Sequence, residues 1–308
     1  MKRFFILASA AIVALASCAR TEVVYDEQPN EIAFRQITDV MTKAGETLSA
    51  DIALGVFAHQ STNLYFDNTS FTHSEEVWAG GRYWPFDGSG LDFTVYAPYN
   101  ANTGTTYNVN AKTLTINGVQ AGEAQYYGSQ RYLNTTQPAG NAAFPVVLKH
   151  ISSKISVAVK GTPGVYKVTG LILEDPIKSG EVDVNYTTND APTVSVVADP
   201  APTKEDVQFW SEASVQLSDA AVKSDVVAYV LPGEQTSFTI TFEQYTNGID
   251  KDTKLTFTRT IELSDSWVAN TQYLYTIEIT ADEIKLTATI AEWEPEQNVS
   301  LDNDNMTH

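Results

Sequence analysis

The sequence predicts an all-β protein of two domains, with sheets packed as sandwiches, and three observations carry the prediction. Helical periodicity is almost absent along the 308 residues. What recurs instead is period-two alternation of Val, Ile, Thr, Tyr and Phe, cut by Gly, Pro, Asn and Asp. Finally, 43% apolar and 11% aromatic content rules out a disordered chain, and the length suffices for two cores of ordinary size.

The chain opens on Lys2 and Arg3, followed by an apolar run from Phe4 to Leu15. That run is too short to span roughly 30 Å of hydrocarbon and has the length of a signal-peptide core. Leu15-Ala16-Ser17-Cys18 then matches the bacterial lipobox, and Cys18 is the only cysteine of the chain. Small residues let an extended backbone enter a peptidase cleft, and the thiol is the nucleophile that receives a diacylglycerol. Residues 1–17 are therefore read as a lipoprotein signal peptide and Cys18 as the lipidated residue. Acylation leaves no thiol for a disulfide or a metal. Three acyl chains would hold the protein far more firmly than the marginal grip of one.

Residues 18–43 form an N-terminal segment containing the strand-like "EIAFRQI", in which Ile32 and Phe34 alternate just before Arg35. Residues 44–147 form a first domain with short strands and long loops. Its best strand candidates are "DIALGVFAHQ", "LDFTVYAPY", "KTLTINGV" and "FPVVLKH". Denser alternation begins after Pro145 to His150 and marks a second domain, residues 148–308. In "SKISVAVKG", Ile155, Val157 and Val159 share one face; in "SFTITFEQ", Phe238, Ile240 and Phe242 do. "KLTFTRTIEL" places Leu255, Phe257, Ile261 and Leu263 together. Tyr273, Tyr275, Ile277 and Ile279 precede a polar break, and Ile284, Leu286, Ala288 and Ile290 follow it. Each run reads as a strand with one buried face.

Against 38 acidic residues stand 19 basic ones, a formal charge of −19, which repels phosphate backbones and excludes nucleic acid as a partner. No catalytic constellation emerges. The histidines at 59, 73, 150 and 308 are scattered, and His73 with Glu75 and Glu76 reads as a solvated loop because no fourth ligand follows at a diagnostic spacing. There is no GxSxG elbow. The glycines of "GGRYWPFDGSG" lack a phosphate-loop lysine, and "LDNDNMTH" lacks the central Gly and closing Glu of a calcium loop. No metal and no cofactor is expected. Trp78, Tyr83 and Trp84, with Phe86, are the candidate binding surface, because exposed aromatic faces stack on sugar rings. The competing assignment, that they plug the end of the first sandwich, is favoured for aromatics of this density in β domains.

Taken in order, the lipobox, "EIAFRQITDVMTKAGE", "GGRYWPFDGSGLDFTVYAPY", "FPVVLKHISSKISVAV", "VAYVLPGEQTSFTITF", "WVANTQYLYTIEIT" and "IKLTATIAEWEPE" make the chain resemble the fimbrillin (Mfa-like) family of Bacteroidales. Each stretch alone is ordinary β-sheet sequence; the ordered set, spread along nearly the whole chain, is what is specific. The resemblance implies two transthyretin-like β-sandwich domains in tandem, with the seam near Phe144 to His150. It also implies a structural subunit, stalk or tip, of an adhesive cell-surface fimbria. Such a subunit is exported as a lipoprotein to the outer membrane and cut by a trypsin-like protease after a basic residue in or near its first strand. Loss of that strand leaves unpaired backbone and an open core, which a strand of the next subunit fills. Here the processing candidates are Arg35 and Lys43, the latter standing where relatives often have Arg, and the donor candidate is "IKLTATIAEW". Implied partners are other fimbrial subunits, the protease, the outer membrane through the precursor's lipid, and a host or bacterial surface receptor. Two readings from other classes stand beside this one. A monomeric lipoprotein binding glycans through Trp78, Tyr83 and Trp84 would keep its first strand and its lipid for life. A glycosidase would need two carboxylates roughly 5–10 Å apart in a cleft.

Overall fold

A computed structural model describes residues 30–36, 48–101, 104–122, 124–210, 214–234, 236–246, 253–264 and 266–292. Among them the chain is all-β, broken by one 3-10 turn at Ala139–Asn141, and no helix is long and apolar enough to cross a membrane. The first half carries β1 (Glu31–Gln36), β2 (Leu54–Gln60), β3 (Asn63–Ser74), β4 (Val77–Tyr83), β5 (Leu91–Ala97), β6 (Thr106–Asn108), β7 (Thr113–Gln120), β8 (Tyr126–Gly128), β9 (Tyr132–Thr135), β10 (Phe144–Val146) and β11 (Leu148–His150). The second half carries β12 (Ser153–Gly161), β13 (Tyr166–Glu174), β14 (Ile177–Asn185), β15 (Thr193–Val196), β16 (Thr203–Lys204), β17 (Val207–Trp210), β18 (Val215–Gln216) and β19 (Val222–Lys223). It continues with β20 (Ala228–Val230), β21 (Gly233–Glu234), β22 (Ser237–Tyr245), β23 (Lys254–Glu262), β24 (Ser266–Trp267), β25 (Thr271–Ile279) and β26 (Ile284–Glu292).

In the first half, hydrogen-bonded neighbours run β10-β1-β4-β3-β2-β5-β8-β11, with β9 alongside β5. The long β3 turns this sheet into two layers. Its stretch from Asn63 to Phe71 pairs with β2, and Thr72–Ser74 pair with β4. The tight hairpin from β3 to β4 puts Glu75 and Glu76 at φ of 51° and 70°, the mirror-image turn that matches the right-handed twist of the strands. Between the layers lies a core built on Ile32, Phe34, Val56, Phe71, Trp78 and Phe93.

The second half forms a sandwich of two sheets, β19-β12-β25-β26 and β17-β13-β22-β23, with β20 on β12 and β18 on β13. Its core includes Val157, Phe238, Ile240, Tyr275 and Ile277, which the alternation places inward, together with Val168 of β13. Strands β12 and β25 run parallel, Ile155 opposite Tyr273 and Val159 opposite Ile277. Leu255 and Ile290, expected on buried faces, are exposed. Their strands β23 and β26 are the outer edges of their sheets, where one neighbour alone covers them.

A third sheet, β15-β14-β7-β6, joins the halves. Strand β14 pairs with β7 from Ser179↔Gln120 to Asn185↔Thr113, although the two are some sixty residues apart in sequence. This sheet covers the outer face of β2 and β5, enclosing Phe57, Tyr96, Leu114, Val182, Val184 and Tyr186. Strands β2 and β5 are therefore buried on both faces, which the one-sided pattern of a sandwich does not anticipate. The chain passes from the first sandwich to the second just after β11, and β14 to β16 then return across that seam.

Candidate functional site

Strand β1 lies inside its sheet. On one side it pairs in parallel with β10, Phe34 opposite Phe144 and Arg35 opposite Pro145. On the other it pairs antiparallel with β4, Phe34 opposite Trp78 and Ala33 opposite Ala79, with a bulge after Glu31. β10 is the sheet's edge, and it tolerates Pro145 there because proline has no N–H to give a ladder. The alternation of "EIAFRQ" decides which side chains enter the core. Ile32 and Phe34 are fully buried, and Arg35 points to solvent. The Phe34 ring meets Phe71 at 5.2 Å, Phe93 at 5.3 Å and Phe144 at 6.2 Å between centroids, all edge-on. Burying Ile32 and Phe34 stabilises the domain by about 3–6 kcal/mol together.

At its start β1 is pinned from the C-terminal end of β4. The Asn30 carbonyl accepts the Trp84 N–H at 3.0 Å, and the Glu31 carboxylate accepts the Gly81 N–H at 2.7 Å. Taking β1 away would therefore uncover two aromatic-lined walls and leave both β10 and β4 with unpaired backbone groups.

The aromatic binding surface separates into two kinds of residue. Trp78 and Trp84 are 3% and 4% exposed, hence core: Trp78 donates its indole N–H to the Ile52 carbonyl at 2.9 Å, and Trp84 stands edge-on to Phe93 at 5.6 Å. Neither offers a ring face to a ligand, because both sit on the inner side of the β4 end of the sandwich. Tyr83, next in alternation, is 46% exposed. Cys18 and Lys43 lie outside the described residues, as does Trp293 at the end of the donor candidate.

The donor candidate itself is β26. It pairs along its full length with β25, from Ile279↔Ile284 to Thr271↔Glu292, and among the described residues has no partner on its other side. Ile284 and Leu286 pack on the second core, while Ala288 and Ile290 are open to solvent. Nine ladder pairs with little side-chain burial leave this last described long strand open on one edge.

Two grooves open elsewhere. One, of about 710 Å³, is mostly apolar and lies between β15, the Pro202 loop and the β21–β24 ribbon. The other, of about 440 Å³, lies between β23 and the turn from β25 to β26. Neither contains a predicted site residue, and among the described residues no three His, Asp or Glu side chains converge as a metal site. Sequence reasoning missed the residues that receive β1, Phe144 and Pro145 above all. The available signal was the proline inside an otherwise strand-like run.

Comparison with solved structures gives the same architecture. A fimbrial protein of Bacteroides vulgatus superposes with a TM-score of 0.63 at 18% identity, over 85% of this chain and 99% of that one. A candidate cell adhesion protein of Parabacteroides distasonis reaches 0.51 at 11% identity, over 87% and 98%. One of Bacteroides uniformis reaches 0.50 at 16% identity, over 86% and 99%. At such identities the likeness speaks for the fold alone. No curated protein matches the chain. The family model described as fimbrillin-like, however, matches residues 37–293, most of the sequence, and the chain therefore belongs to the fimbrillin-like family.

Proposed function

We propose that this protein is a structural subunit of a cell-surface fimbria, with no catalytic activity of its own, assembled by strand exchange. Its precursor is exported as a lipoprotein on Cys18 and held at the outer membrane. A trypsin-like protease cuts after Arg35 or Lys43, β1 leaves, and an edge strand of the next subunit takes its place between β10 and β4. Fimbrial proteins of the same fold and the family membership support the subunit role. The observation that carries the exchange mechanism is the interior position of β1 with Ile32 and Phe34 fully buried. An edge strand could leave without consequence; this one cannot leave without replacement.

The two processing candidates differ physically. Proteases bind substrate in extended form along their own edge, yet Arg35 is already committed to β10 within the sheet. Cutting there requires β1 to open first. Cutting after Lys43 severs the covalent link downstream of β1, and the strand then departs as a separate peptide.

The test is size-exclusion chromatography of the full chain before and after limited cleavage, with and without residues from Ile284 onward. Intact precursor should be monomeric, cut full-length protein should form high-mass species, and the shortened chain should form none. Cut protein that has lost its first strand and stays monomeric would overturn strand exchange.

A further inference from the structure

The proposed lipid lies on Cys18, and the described chain begins at Asn30, twelve residues later. Twelve residues reach at most roughly 40 Å. The end of the molecule from which this tether emerges is fixed by two hydrogen bonds already described, Trp84 N–H to the Asn30 carbonyl and Gly81 N–H to Glu31. An anchored precursor thus holds this end, with its β4–β5 loop, within roughly 40 Å of the membrane.

That same end gathers exposed apolar side chains from three segments: Leu64 and Tyr65 of β3, Tyr83 and Phe86 of the β4–β5 region, and Leu133 of β9. The segments are tied together. The Tyr65 hydroxyl donates to the Tyr83 carbonyl at 2.9 Å, and Gln60, at the turn into β3, donates to the Ser89 hydroxyl at 2.6 Å. Asn134, beside Leu133, donates its N–H to Asp92 at 2.7 Å and lies against Gly90. Phe86 is 85% exposed, and its loop is built to keep it so. Gly88 N–H bonds back to the Pro85 carbonyl at 3.1 Å, and the Asp87 carboxylate accepts both the N–H and the hydroxyl of Ser89. A phenyl ring held outward on a braced turn, in a chain of charge −19, calls for an apolar partner.

We propose that this end is a lipid-surface docking face of the anchored precursor. Phe86, Leu64 and Leu133 enter the boundary between headgroups and acyl chains, and Tyr65 and Tyr83 sit at headgroup level, where amphipathic rings are favoured. The contact is small, but the tether supplies a high effective concentration of membrane, so weak insertion suffices to orient the protein. The inference rests on the lipoprotein reading of Cys18. Its consequence is geometric. β1 rises about 3.3 Å per residue, so with Asn30 at the membrane, Arg35 and the chain beyond it stand some 15–20 Å higher, presented to a protease in the medium. Cleavage then parts the tether from the docking face, and the face, left with its weak insertion alone, lets go of the membrane.

The test exploits the acylated state of Cys18, which leaves the mature lipoprotein without a free thiol. Phe86→Cys, Leu133→Cys and, as a distant exposed control in β23, Thr256→Cys each introduce one thiol for an environment-sensitive fluorophore. The full lipoprotein is reconstituted into phosphatidylcholine vesicles with brominated acyl chains, and its N-terminal peptide is weighed by mass spectrometry. Positions 86 and 133 should lose most of their emission to bromine quenching, and position 256 none. Acylated protein quenched no more at 86 than at 256 overturns the docking face and leaves the lipoprotein reading standing. An N-terminal peptide without acyl mass overturns both. A blue shift at 86 without quenching, accompanied by dimers, assigns the face to a second copy of the chain and also overturns the proposal.

Discussion

Phe34→Ala tests whether β1 is held as a replaceable core strand. The ring is fully buried and boxed by Phe71, Phe93 and Phe144, side chains on three other strands that cannot all collapse into the space left behind. Truncating such a residue costs about 3–5 kcal/mol, the upper part of the range applying where the walls are rigid. If the contacts break before the strand is free, the whole of that cost appears in its escape rate. At 1.4 kcal/mol per factor of ten, release should speed up by about two to three and a half orders of magnitude. The assay uses the full chain with a site-specific protease sequence inserted after Lys43. After cutting, loss of the N-terminal fragment is followed by size exclusion and mass spectrometry. Phe238→Ala is the matched control, because Phe238 is equally buried, edge-on to Tyr275 at 5.3 Å, but in the second sandwich. It should lower stability comparably and leave release unchanged. Equal release rates in the two variants, with stability lost in both, would refute the reasoning.

Four further outcomes are expected. Trp84→Ala should cost about 3–5 kcal/mol as a core truncation, whereas the half-exposed Tyr83→Ala should stay within about 0.5 kcal/mol; denaturant midpoints decide, and an unshifted Trp84 variant would return that ring to the surface. Gly55→Ala would place a Cβ 2.0 Å from the Tyr96 ring, which is itself anchored to Asn68 at 2.8 Å, so a loss of at least about 1–3 kcal/mol is expected; an unchanged midpoint would mean that the ring moves freely. Burial holds the pKa of His59 below the ordinary value, against the pull of Asp67 and Asp92 and with the push of Arg131. The unfolded chain then binds the proton first as pH falls, so His59 stabilises the fold above about pH 6.5 and that share is lost on acidification; His59→Gln should flatten the dependence of Tm on pH between roughly 7 and 5, and an unaltered slope would remove His59 from the account. Cys18→Ala should abolish incorporation of fatty-acid analogues, and retained label would refute acylation at that residue.

Local chemistry was legible where one strand face meets one core. The alternation in β22 and β25 names the buried residues Phe238, Ile240, Tyr273, Tyr275 and Ile277, because a period of two is set by the pleat itself. The same signal in "EIAFRQ" placed Ile32 and Phe34 inward and Arg35 outward. It failed at the ends of β23 and β26, where Leu255 and Ile290 keep the pattern of a buried face but lie on sheet edges. For Trp78, Tyr83 and Trp84 composition alone could not separate core from surface. The strand and the turn after it put the two indoles inside and the phenol outside.

The sequence by itself determined the all-β class, the faces of most strands and the candidate first strand, each written in neighbours a few positions apart, and the family likeness, written in the order of such stretches along the chain. Only the tertiary structure decided that β1 is interior, flanked by β10 from more than a hundred residues downstream. It alone decided that β14 crosses the seam to pair with β7 and bury the second face of β2 and β5. The physical reason is common to both. Which strand lies beside which is settled by closing long loops around shared cores, a global balance of chain entropy against buried area that leaves no mark on the local periodicity of either partner.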